Sequence, residues 1–421
     1  NNAFTVTIGT ADAEITAANL TTLNGLTSVA IEAGNVTKIT GTVAATNTVY
    51  AAAGNSQING LGNEAVVISG ESSNTLSDAS TLNTLDGYTT GTVNAGSLTT
   101  IKGDLSDLLT AYASNGITGL GNEAITLDDT SSVSSTDLNT LDSKTSGDIT
   151  THSSLATLTG TVAELNEAFG SEGSTALGNE AVTVTDTTLD ARDLNVLNNY
   201  TTGLVTASAA TTLRGTLADV NEAYAAVAAS GDAITGLANE AVELTDTRVL
   251  AADLKTLNTK TTGTIDASTI SVIEGTASDV NTVYDAAGSS GDKISGLGSE
   301  EITLTDTTVS ATALRNIYLD GSTVRNSGTI DASSVHTISG SGTTISIANT
   351  VYASGRFTGL GSENITITDQ GASGAGNGVS VSDLNTLNGY TTGNVNAGTI
   401  TFLEGSISNL NTAYAATSAL G

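Results

Sequence analysis

The chain has 421 residues with 43 acidic against 12 basic side chains, and a formal charge of −31 leaves little to neutralise a row of phosphates, which disfavours nucleic acid and anionic lipid as partners. It contains no Cys, Met, Trp or Pro, so disulfides, thiolate metal sites and cysteine nucleophiles are excluded. Hydrophobic residues make up 38% but aromatics only 3%, so any core must be thin and built from small side chains, and no apolar run is long enough to insert into a membrane.

One pattern then recurs from end to end. Cutting after each Gly-Leu-Gly-like tripeptide gives seven repeats: 1–62, 63–121, 122–178, 179–238, 239–298, 299–361 and 362–421. A fixed period near 60 residues overrides the prior of two or three globular domains that the length would suggest, and predicts one continuous elongated body. The absence of Pro fits long hydrogen-bonded ladders, since Pro removes a ladder donor.

Each repeat has two related halves. The first opens on an alternating strand, as in Ala181-Val182-Thr183-Val184 and Glu301-Ile302-Thr303-Leu304. Period-2 alternation with β-branched residues marks a half-buried strand. A short helix follows, with apolar residues at i and i+3: Leu20/Leu23, Leu82/Leu85, Leu138/Leu141, Leu194/Leu197, Leu254/Leu257, Leu314/Ile317 and Leu384/Leu387. The second half has a strand with an apolar position shortly before Gly (Ile39, Ile101, Leu158, Leu213, Ile273, Ile338, Leu403) and then a helix. Thr161 to Glu164, Thr216 to Asp219 and Thr276 to Asp279 have the spacing of a capping box at that helix start. The helix ends in an aromatic at Tyr50, Tyr112, Phe169, Tyr224, Tyr284, Tyr352 and Tyr414, which stacking would align in a column. The halves share a kernel, Asp193-Leu194-Asn195 in one and Asp219-Val220-Asn221 in the other. The expected fold is a β/α repeat solenoid of about 14 half-repeats, with parallel strands about 4.8 Å apart on one face and short helices on another. Loops near Asp320-Gly321-Ser322 and from Gln370 to Gly378 interrupt the pattern.

The phrases Asp-Leu-Asn-Thr-Leu-Asn-Gly-Tyr-Thr-Thr-Gly (383–393) and Gly-Leu-Gly-Asn-Glu-Ala-Ile-Thr-Leu (119–127) resemble Thr/Asp/Gly-rich repeat tracts of giant surface-exposed, surface-layer or adhesin-like proteins of marine bacteria, especially cyanobacteria. The resemblance covers the whole chain. It implies an extracellular structural or adhesive role without catalytic residues. The Gly-Gly-x-Gly-x-Asp series of calcium-binding nonapeptide arrays is missing.

Two acidic columns stand out. Asp129, Asp186, Asp246, Asp306 and Asp369 hold equivalent strand-end positions, while Ile8 and Gly70 replace them in the first two repeats. Such a stripe either recruits Ca²⁺, which wants several oxygens, or closes turns by bonding its own backbone. The second column is Glu64, Glu123, Glu180, Glu240, Glu300 and Glu363, with a capping role as its plain reading. His152 and His336 have no partner at ligand spacing, and no phosphate loop, nucleophile elbow or metal motif occurs. The aromatic column is expected in the core, with stacking on surface glycans as its alternative, whereas Tyr88, Tyr200 and Tyr390 are expected at the surface.

The C-terminal Thr417-Ser418-Ala419-Leu420-Gly421 runs in register into Asn1-Asn2-Ala3-Phe4-Thr5-Val6. Phe4, Val6, Ile8, Leu420 and Gly421 are therefore expected to mediate head-to-tail self-assembly, or to sit inside a longer array. The expected function is an extracellular structural element of a filament or surface layer. The alternative is an adhesin stalk or a glycan- or cation-binding surface on the same scaffold.

Overall fold

In a computed structural model, residues 4–175, 177–227, 233–287, 293–340, 343–368 and 378–418 are described. The second repeat shows the plan. It runs through strand Ala65–Ile68, strand Thr75–Leu76, helix Ala79–Tyr88, strand Val93–Asn94, strand Thr100–Gly103, helix Leu105–Ala113 and strand Ile117–Thr118. The alternation in Ala65–Ile68 buries Val66 and Ile68, and the i, i+3 pair in the first helix buries Leu82 and Leu85. Among the described residues the chain forms 14 α-helices, two for each repeat as the half-repeat reading predicts.

Helix starts are fixed locally. The Thr16, Thr42, Ser134 and Ser310 hydroxyls each accept the backbone N–H three residues on. At Thr161 the box is complete, and Glu164 also accepts the Thr161 N–H at 2.9 Å. That N–H, with the hydroxyls of Thr136 and Thr161, holds the Glu164 carboxyl below its ordinary range. Asp219 is one methylene shorter; its N–H still donates to Thr216 Oγ1 at 3.2 Å, and the hydroxyl donates to Asp219 Oδ2 at 2.6 Å, as the Thr161 hydroxyl does to Glu164.

The chain divides into two compact units, one of Asn1–Asp186, Val196–Ala209 and Gly231–Thr235, the other of Thr187–Asn195, Ala210–Ser230 and Gly236–Gly421. In the first, successive helices from Ala17–Leu26 to Val162–Gly170 pack side by side; in the second, so do those from Leu217–Val227 to Ile407–Ser418. Strands pair in parallel in both units, as expected, but in separate ladders of at most five strands among the described residues. The order explains this. The second strand of a repeat pairs with its fourth, which pairs with the first strand of the next repeat and then with that repeat's third and fifth. Val133, Leu158, Val182, Val205 and Ile234 form one such row in the first unit, and Leu189, Leu213, Val242, Ile265 and Ile294 the same row in the second. Each five-stranded ladder thus takes two strands from one repeat and three from the following one, so none of these is completed by a single repeat.

The interruption at Asp320-Gly321-Ser322 is an antiparallel hairpin, Leu319–Asp320 with Thr323–Val324. The interruption from Gln370 lies, except for Gly378, outside the described residues.

Candidate functional site

The side chains with the most developed chemistry gather where one repeat meets the next. Glu64, Glu123, Glu180, Glu240, Glu300 and Glu363 are all buried, which for carboxylates demands partners. Each reaches back to the tripeptide before it: Glu64 Oε2 accepts the Gly62 N–H at 2.8 Å and Glu300 accepts that of Gly298 at 2.9 Å. Gly62 adopts a φ of 137°, which a side chain would resist, whereas Ala238 makes the same donation to Glu240 without a positive φ.

Five of these carboxylates take a further donor from the preceding repeat. Tyr50 donates to Glu64 at 3.0 Å, Tyr112 to Glu123 at 2.9 Å, Tyr224 to Glu240 at 3.1 Å, Tyr284 to Glu300 at 2.6 Å and Tyr352 to Glu363 at 2.8 Å. Burial, and after it the carboxylate for Tyr50, Tyr112 and Tyr284, raises these phenols well above their ordinary value of 10.0. The expected core position of the second-helix aromatics holds for Tyr50, Tyr224 and Tyr284, while Tyr414 is exposed. Three of these rings stack on the tyrosine or tyrosines expected at the surface: Tyr50 on Tyr88, Phe169 on Tyr200 and Tyr352 on Tyr390. Those outer partners are indeed exposed. On the other side of the bracket, the Glu180 carbonyl accepts Thr201 Oγ1 at 2.8 Å. Thr201 is followed by Gly203, where a Cβ would stand 2.2 Å from that same carbonyl oxygen.

The Asp column does not bond its own turn. Asp129, Asp186, Asp246 and Asp306 each accept the first free N–H of the second helix in the preceding repeat: Leu105 at 2.8 Å, Val162 at 2.8 Å, Leu217 at 2.6 Å and Ala277 at 2.7 Å. A carboxylate there meets an unsatisfied donor at the positive end of the helix dipole, and this is a stronger contact than a turn bond. Asp369 lies outside the described residues. In the second repeat Gly70 occupies the register, and Glu71 supplies the carboxylate instead, accepting Val43 N–H at 2.7 Å.

The kernel Asn residues link neighbouring helices. Asn83 Nδ2 donates to the Asp107 carbonyl at 2.9 Å, Asn195 to Asp219 at 2.9 Å, Asn281 to Ala313 at 3.0 Å and Asn385 to Asn409 at 2.9 Å. Sequence reasoning singled out the kernel but assigned it no role.

Of the assembly residues, Phe4 is 73% exposed, Val6 half-buried and Ile8 6% exposed, so the inward alternation deepens along this segment. Val6 pairs with Ile31. Leu420 and Gly421 lie outside the described residues. His152 Nδ1 accepts the Ser154 N–H, and His336 Nδ1 sits 2.6 Å from the Ser334 carbonyl, both local contacts. Among the described residues no three His, Asp or Glu side chains group to hold a metal ion, and no helix is long and apolar enough to cross a membrane.

Chemically, the junction carboxylates act as acceptors for backbone N–H groups and phenols, while Glu64 Oε1 and Glu123 Oε1 are buried without a hydrogen bond among the described residues. No known protein family and no curated protein matches this chain.

Proposed function

We propose that the chain is a structural repeat array, a β/α solenoid serving outside the cell as an element of a filament or surface layer, without catalytic activity or a resident cofactor. The observation that carries this reading is the recurrence of one junction: the Glu bracket appears at six repeat boundaries, and at five of them a tyrosine of the preceding repeat donates to it. An enzyme needs a place where the repeat is broken to free a reacting group. Here the Asp and Glu columns are engaged by the backbone, so calcium is not required to explain them. The extracellular placement rests on the resemblance of the repeat phrases and on the acidic composition.

Self-association is part of the proposal. In the last described helix Ile407 is 78% exposed and Tyr414 66%, whereas their counterparts Val162 and Tyr284 are covered by the following repeat. A coil of the same pattern, from the same or another molecule, fits that face. Electron microscopy of the purified chain tests the reading. End-to-end polymers, with labelling at the cell surface, are expected; particles that stay single at high concentration and fractionate with the cell interior would overturn it.

A further inference from the structure

The sixth repeat departs from the pattern in a way that creates a groove. After helix Ala311–Tyr318 the chain makes the Leu319–Asp320/Thr323–Val324 hairpin, and a solvent-open cavity of about 530 Å³ lies between it and the helices Thr343–Ala353 and Val381–Tyr390. That volume is within the range of small-ligand sites. Its walls include Tyr318, Val324, Asn349, Arg356 and Tyr390. Val324 and Tyr390 are exposed, and the Tyr390 ring is braced from behind by Tyr352, with centroids 5.2 Å apart. Tyr318 is fixed edge-on against Phe357.

The charge is also unusual for this chain. Arg315, Arg325 and Arg356 all belong to this repeat, in a protein with only 12 cations. Arg325 is neutralised by Asp285. Among the described residues Arg356 has no carboxylate within ion-pair distance; one of its nitrogens is held by the Ser327 carbonyl, which orients the guanidinium and leaves its other edge for a ligand.

We propose that this groove binds an acidic saccharide: a pyranose lying against Tyr390 with its carboxylate on Arg356. A braced aromatic face suits a sugar ring, and the planar guanidinium matches a carboxylate. The remote negative charge of the chain does not forbid this, because at physiological salt its field is screened beyond about 8 Å.

The test is calorimetric titration of the whole chain with tetragalacturonate, beside a neutral tetrasaccharide and a glutamate tetrapeptide. Binding of the uronate alone is expected, weakened about tenfold or more by Arg356→Gln. Tyr390→Ala should also weaken it, while Arg214→Gln, on a distant strand, should leave it unchanged. Melting of each variant shows that loss is not unfolding, and uronate-induced change in tyrosine emission gives an independent readout. No uronate binding, equal binding of the tetrapeptide, or full binding by a folded Arg356→Gln protein would each overturn the proposal.

Discussion

The Tyr284 hydroxyl lies 2.6 Å from Oε2 of Glu300, a bond between the last turn of one repeat's second helix and the buried carboxylate that opens the next repeat. Replacing Tyr284 by Phe removes a donor but leaves Glu300 buried. A loss of about 1 to 2 kcal/mol is expected, read from the denaturant midpoint. The third repeat supplies the converse experiment, since Phe169 occupies the tyrosine position and, among the described residues, Glu180 accepts the Gly178 and Asn179 N–H groups without a phenol. Phe169→Tyr should therefore stabilise the chain; an unchanged or lowered midpoint would show that the phenol contributes nothing.

These phenols set an alkaline limit. Tyr50, Tyr112, Tyr224, Tyr284 and Tyr352 are raised above the ordinary value of 10.0 in the fold. Below pH 10 folded and unfolded chains both keep these protons, so the contribution to stability is complete. Above it the unfolded chain releases protons that the folded chain retains, and stability falls as pH rises. Tyrosinate absorbance from these five should thus appear together with loss of circular dichroism. Ionisation of all five near pH 10 with the fold intact would contradict this.

Asp246 caps the helix that starts at Leu217, in the preceding repeat. Asp246→Ala should cost about 1 kcal/mol, while Asp246→Asn, which keeps an acceptor, should cost less. Because the carboxylate is already engaged, a calcium chelator should leave the melting midpoint of the unmodified chain in place. A large fall on chelation would make the column a cation site.

Asn281 donates to the Ala313 carbonyl of the neighbouring helix. Asn281→Asp would set a carboxylate oxygen against that carbonyl. A loss of about 1 to 3 kcal/mol is expected, against a smaller loss for the same change at the exposed Asn199.

The period, the strand alternation and the Leu pairs could be read from the chain because each depends on spacing within a few residues. The Thr161–Glu164 box was equally local. What escaped were contacts between residues 11 to 35 positions apart, as from Tyr112 to Glu123, Asp129 to Leu105 or Asn47 to Thr81. Their spacing varies with loop length, so no fixed offset reveals them. Glu71 is the clearest case: the register puts Gly70 at the capping position, and only the fold shows that the next side chain reaches Val43. The division of strands into short ladders was hidden for the same reason, since alternation identifies a strand without naming its neighbour.

The most direct measurement concerns whether the repeats are interchangeable modules stitched across their boundaries. Removing residues 239–298 joins Ala238 to Ser299 in phase and restores every ladder. That protein should fold cooperatively, with helix and strand content scaled to six repeats and protease resistance retained. Removing only residues 239–268 deletes the strands that pair with Thr212–Gly215 and Val272–Gly275, and should leave a protease-sensitive chain with a broadened transition. Equal stability of the two deletions, or unfolding of the in-phase one, would contradict a modular structural array.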